Sequence, residues 1–208
     1  VRGGTLVAVG GATPFGDTLI ASVEVLERGS QAWRELLPLS CGGIDDVCAV
    51  AVEESVSVEG QVCILGGDPR EERIETSDGV YTVDLATGVC TPQPGLGIRR
   101  ADSASARLPD GRIIVVGGRN TDDVIHDSAE MWEPSRGALR EVEAMGTRRC
   151  GTSGCVLSDG RRFAVFGGFG GQVEPVHGVQ GDDAALKSCE ALVLDVGAER
   201  WEPLPPML

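Results

Sequence analysis

Ile113-Ile114-Val115-Val116-Gly117-Gly118 is one of four stretches that set four apolar residues directly before a glycine doublet. The others are Leu6-Val7-Ala8-Val9-Gly10-Gly11, Val62-Cys63-Ile64-Leu65-Gly66-Gly67 and Phe163-Ala164-Val165-Phe166-Gly167-Gly168. Their first glycines stand at 10, 66, 117 and 167, a period of about 50 residues. A short run rich in β-branched residues predicts a buried strand, and Gly-Gly supplies a bend with positive φ that residues with a Cβ resist. A lone doublet would carry little information, whereas four at one period define a structural repeat.

The similarity extends outward from each doublet. An apolar residue followed by an acid recurs as Leu26-Glu27, Val83-Asp84, Trp132-Glu133 and Leu194-Asp195. Seven positions after each apolar residue comes Trp33, Cys90, Leu139 or Trp201. Turn formers lie between them, such as Ala86-Thr87-Gly88 and Pro134-Ser135-Arg136-Gly137, so each pair predicts a hairpin. Before two of the doublets, Arg100 and Arg149 each stand ten residues ahead of an Asp-Gly turn, Asp110-Gly111 and Asp159-Gly160. The stretch between holds small residues and predicts a further strand. A full unit therefore contains four strands. The fourth unit is longer between Gly168 and Ser188, where a polar, Gly-rich insertion lies in a loop.

Doublets, apolar–acid pairs, Trp33, Trp201 and the Arg100 and Arg149 segments together resemble the kelch repeat, over nearly the whole chain. The departures are Cys90 and Leu139 at the Trp position and a degenerate first strand around 41–52. The resemblance implies an all-β fold, a kelch-type β-propeller with four blades of mostly four antiparallel strands. The blades span roughly 1–40, 41–98, 99–147 and 148–208, within one domain covering 1–208, and the first lacks its innermost strand. Kelch-like rings usually close with five to seven blades, so the chain is expected to be a fragment of a longer ring, the alternative being a small four-bladed ring with an imperfect closure. Open blade edges would then expose apolar surface and favour self-association.

Composition agrees with a turn-rich β protein. Of 208 residues, 30 are Gly and 11 are Pro, about a fifth together, while 41% are hydrophobic. The net charge of −14 disfavours nucleic acid as a partner. No apolar run approaches the roughly 18 residues of a membrane span. The seven cysteines form no C-x-x-C and no zinc spacing, which with the lack of a signal-like N-terminus leads to the expectation of reduced thiols and a cytoplasmic location. Cys48, Cys63, Cys90 and Cys155 are expected to be buried, and Cys41, Cys150 and Cys189 more exposed.

Two groups of residues are candidates for binding. Arg99-Arg100 and Arg148-Arg149 stand in equivalent loops of an acidic protein and are suited to bidentate contacts with carboxylates. For Arg100 and Arg149 a structural role is favoured, pairing with acids and satisfying loop carbonyls. The loops after the doublets hold Asp68, Arg70, Arg119, Asn120, Asp122, Asp123 and the 169–187 insertion, and loops on a rigid scaffold often carry function. Asp122, Asp123, His126 and Asp127 have ligand-like spacing, but one short loop rarely provides a second shell, so no metal and no cofactor is expected. Ser128-x-Glu130 and Ser22-x-Glu24 are taken as structural.

Some propellers of the kelch type are enzymes. The copper site of galactose oxidase needs two tyrosines, and Tyr81 is the single tyrosine of this chain. The Asp-box repeat of sialidases is absent, and no nucleophile–base pair stands out. The leading expectation is therefore a protein-interaction module of the scaffold or substrate-adaptor type. It would bind a protein partner through inter-blade loops, with neither nucleic acid nor membrane as partner. The alternative is a non-copper, carbohydrate-active or sugar-binding propeller, similar to sialic-acid epimerases, using Arg100 and Arg149.

Overall fold

A computed structural model describes residues 4–14, 18–52, 60–69, 77–170, 185–195 and 198–208. Its regular elements are all β-strands, arranged in four antiparallel sheets. The first holds β1 (Leu6–Val9), β2 (Val23–Leu26) and β3 (Arg34–Glu35). The second holds β4 (Cys48–Val52), β5 (Gln61–Leu65), β6 (Val80–Asp84) and β7 (Cys90–Gln93). The third holds β8 (Ala104–Arg107), β9 (Ile113–Val116), β10 (Ala129–Glu133) and β11 (Ala138–Val142). The fourth holds β12 (Ser153–Val156), β13 (Arg162–Phe166), β14 (Cys189–Asp195) and β15 (Ala198–Leu204). Within every sheet each strand pairs with its sequence neighbours, as an antiparallel meander. No helix of the described residues is long and apolar enough to cross a membrane.

The chain forms two compact units, Val1–Ala101 and Asp102–Leu208. In the first, Val23, Val25, Val62, Ile64 and Val83 of the first two sheets share one core cluster with Leu39, Ile44 and Leu85. In the second, Ile114, Val116 and Met131 pack with Phe163, Val165 and Leu192. Burial on both faces explains the unbroken apolar runs: every residue of β9 is buried, as are Val62 to Leu65 of β5.

The doublets do more than turn the chain. All eight glycines have positive φ, for example +65° at Gly117 and +89° at Gly118. The first N–H closes the sheet: Gly10, Gly66, Gly117 and Gly167 donate to the carbonyls of Ser22, Gly79, Ser128 and Ser188. The second N–H reaches the incoming chain of the next repeat. Gly11 donates to Ile44 O at 2.8 Å, Gly67 to Arg100 O at 2.9 Å and Gly118 to Arg149 O at 2.8 Å. A Cβ on Gly10, Gly66 or Gly117 would collide with that same carbonyl. Each of the first three doublets is thus a backbone-to-backbone clamp that only glycine permits. Two residues beyond the clamped carbonyl the chain again turns left-handed, at Asp46, Asp102 and Gly151 with φ of 50°, 55° and 57°.

Several local expectations are corrected. β1 is not enclosed on both faces: Val7 and Val9 pack on the core, but Leu6 is 58% exposed. Trp33 is exposed and lies just before the two-residue β3, whereas Trp201 is half-buried and donates from Nε1 to Glu143 O at 2.7 Å. The degenerate stretch around 41–52 still forms a regular strand, β4. Cys155 is exposed, because strand alternation puts Gly154 and Val156 on the more enclosed face, and Cys90 is only half-buried. Cys150 and Cys189 are buried and Cys41 half-buried.

Candidate functional site

The inner loop of the fourth repeat is built around Arg149, whose side chain is wholly enclosed. Its guanidinium donates to Gly167 O at 2.8 Å and to Ser188 O at 3.1 Å. It also donates to Ser188 Oγ at 3.2 Å and to Glu190 Oε1 at 2.7 Å. Glu190 Oε2 in turn accepts from Gly146 N at 2.7 Å. A planar fork of donors suits this mixed set of carbonyls and carboxylate, and a lysine would not reach them all. Arg149 joins three segments of its repeat and is not offered to solvent. Arg100, at the equivalent place, is also 0% exposed. Both side chains are enclosed instead of facing solvent. The partner of Arg149 had a visible signal: Ser188-x-Glu190 repeats the spacing of Ser22-x-Glu24, where Ser22 Oγ donates to Glu24 Oε1 at 3.3 Å.

The neighbouring arginines behave differently. Arg99 and Arg148 are exposed, and Arg148 approaches Asp127 at 3.7 Å.

In the second unit the Gly118 clamp and neighbouring backbone hydrogen bonds bring three loop segments side by side. Gly118 bonds Arg149 O, and Cys150 and Phe169 exchange both backbone hydrogen bonds, at 2.9 and 2.8 Å. Gly151 N donates to Asp102 O at 2.9 Å. The positions after the doublets and those flanking the clamped carbonyl therefore share one surface. Arg119 lies there, bonded to Asp102 at 2.9 Å and Asp123 at 3.3 Å. Asn120 Oδ1 accepts from Asp122 N and Val124 N, each at 3.0 Å, which fixes the loop as an Asx turn. What this frame displays is Asp122, exposed, Val124 at 46% and Phe169 at 49% exposure, with Arg148 nearby in sequence to the clamp. Val124 and Phe169 are apolar residues that composition alone did not mark as site residues.

In the first unit the equivalent surface is acidic. Asp45 and Asp68 form an isolated backbone bridge, and Asp45, Asp46 and Asp68 bring carboxylate oxygens within 4.8 Å of one another. Asp45 is buried and the other two are half-buried. Arg70 and most of the 169–187 insertion, with His177, lie outside the described residues. The Asp122, Asp123, His126, Asp127 group does not converge: Asp123 pairs with Arg119 and Asp127 with Arg148.

No family model and no curated protein matches this sequence. The structure does match a solved one, titled "Structure of YjhT", with a TM-score of 0.71 and 13% sequence identity over 98% of this chain. The chain spans 62% of the length of YjhT. At that identity the likeness concerns the fold, which is of the β-propeller type.

Proposed function

We propose that this chain is a kelch-repeat protein-interaction module that receives a polar or acidic loop of a partner protein on its post-doublet loops, acting in the cytoplasm. The observation that carries the proposal is the surface of the second unit. Arg119 and Asn120 are spent on fixing the loop, while Asp122, Val124, Phe169 and Arg148 are presented to solvent on or beside clamped backbone. Pre-organised loops lower the entropic cost of association, and aromatic and arginine side chains are enriched at interface hot spots.

The test is capture with the chain carrying Arg148→Glu and Phe169→Ser, followed by direct binding of each protein recovered. Partners that bind the parent at least tenfold more tightly than the variant support the proposal, provided both have the same thermal transition. Partners retained equally by the variant overturn it.

A further inference from the structure

In the second unit, Trp201 ties the fourth sheet to the third. Its indole, on β15, donates to Glu143 O, on the chain that leaves β11. Cys90 holds the corresponding place of the second repeat, and a thiol is too short to make such a contact. It stands opposite Val83 in the β6–β7 ladder. Val83 belongs to the core cluster shared by the first two sheets, and Cys90 packs against that cluster together with Leu36, Cys41 and Tyr81. Cys41 lies on the chain that leaves the first sheet, between β3 and β4. Cys41, Cys90 and Tyr81 are close enough for their charges to act on one another. Burial first, and the neighbouring Cys90 second, push the Cys41 thiol up. Burial, and then Cys41, Cys90 and Asp78, push Tyr81 up in the same way.

Cys41 and Cys90 therefore combine two properties. They are neighbours, and both are half-buried, which leaves them open to a small reagent. The other cysteines are placed differently. Cys48 and Cys63 share the second sheet but are enclosed, and burial pushes the Cys63 thiol far above its ordinary range. Cys150 and Cys189 are buried as well, and Cys155 is exposed on β12.

We propose that Cys41 and Cys90 are a reversible dithiol–disulfide pair that joins the first and second sheets covalently, with a low-molecular-weight disulfide as the oxidant. One protein thiolate attacks a sulfur of that disulfide, forming a mixed disulfide and releasing one small thiol. The second protein thiolate attacks the protein sulfur of the mixed disulfide, forming the Cys41–Cys90 bond and releasing the other small thiol. The protein pair loses two electrons and two protons, and the small disulfide gains both. The raised pKa keeps Cys41 largely protonated near neutral pH, which suits it to the second, intramolecular step. A bond of this kind in a reducing compartment is transient and follows the redox state. It does not involve the post-doublet loops, so this proposal and the interaction proposal can fail separately.

The probe is glutathione. The folded chain is incubated with mixtures of its oxidised and reduced forms, quenched with acid, alkylated and digested, and its cysteine peptides are mapped by mass spectrometry. The expected product links Cys41 to Cys90, about tenfold or more in excess of any other link, while exposed Cys155 carries glutathione. Excess reduced glutathione should return the linked pair to thiols. The Cys41→Ser variant is expected to stop at glutathione on Cys90. The mapping uses the unaltered chain, so a misfolded variant cannot mimic the main result. The same chain unfolded in urea is the reference, and there the preference for the 41–90 link should vanish. Three results overturn the proposal: glutathione retained on Cys41 and Cys90 without closure, thiols at both positions while Cys155 is modified, or the same mixture of links from folded and unfolded chain.

Discussion

Replacing Gly117 by alanine separates the two demands that the doublet makes. Gly117 has φ of +65°, a conformation that costs an L-residue about 1–2 kcal/mol. Its added Cβ would also lie well inside 3.0 Å of the Arg149 carbonyl oxygen, and 3.3 Å from Met145 Cε. That oxygen is fixed by the 2.8 Å bond from Gly118 N, so relief requires two backbone segments to part. Overpacking of this kind costs about 1–3 kcal/mol, and the total for Gly117→Ala is about 2–5 kcal/mol. Gly160 is the control, in the same unit: its φ is +66°, but a Cβ there would meet Pro109 Cγ at an ordinary 3.6 Å. Gly160→Ala should therefore lose only the conformational part, about 1–2 kcal/mol. Equilibrium urea unfolding with a common m-value measures both. Equal losses for the two variants would refute the clamp and leave the doublets as simple turns.

Two further outcomes follow from the second unit. Arg149→Met should destabilise by about 3–5 kcal/mol, since it leaves the enclosed Glu190 carboxylate without its cation, while Arg148→Met should cost less than about 1 kcal/mol. Chemical denaturation of the pair checks this, and similar losses would contradict the division between buried and exposed arginines. Glu199 carries a lowered pKa, chiefly because Arg140 donates hydrogen bonds to it, one of them at 2.8 Å. A depressed carboxyl pKa gives stability that is present above the unfolded value near 4.3 and lost as pH falls through the lower folded value. Glu199→Gln should then be less stable than the parent at pH 7 by about 1 kcal/mol or less, with the gap closing toward pH 3 in thermal melts. A gap that stays constant with pH would count against the ion pair.

Much of this architecture was legible because glycine reports backbone and apolar runs report burial. The four doublets marked the ends of β1, β5, β9 and β13, and the apolar–acid pairs marked the ends of β2, β6, β10 and β14. Exposure was less legible, because it depends on which neighbour covers a strand. Leu6 and Cys155 occupy positions in apolar or small-residue strands like those of buried residues, yet both are exposed. Cys150 and Cys189 flank loops in sequence and are buried by tertiary contacts. For the candidate site, the loops themselves were identified, but roles within them were not. Arg119 and Asn120 have the residue types of binders, and the structure adds that they hold their own loop. Val124 and Phe169 gave no local signal, because an apolar residue in a loop acquires meaning only once its exposure is known.

Amide hydrogen exchange at the second glycine of each doublet tests the central claim most directly. Gly11, Gly67 and Gly118 donate to Ile44, Arg100 and Arg149, whereas Gly168 N–H has no such partner among the described residues. The clamp predicts that the first three amides exchange as slowly as those of β9, and that Gly168 exchanges far faster. Exchange of Gly11, Gly67 and Gly118 at the rate of Gly168 would contradict it.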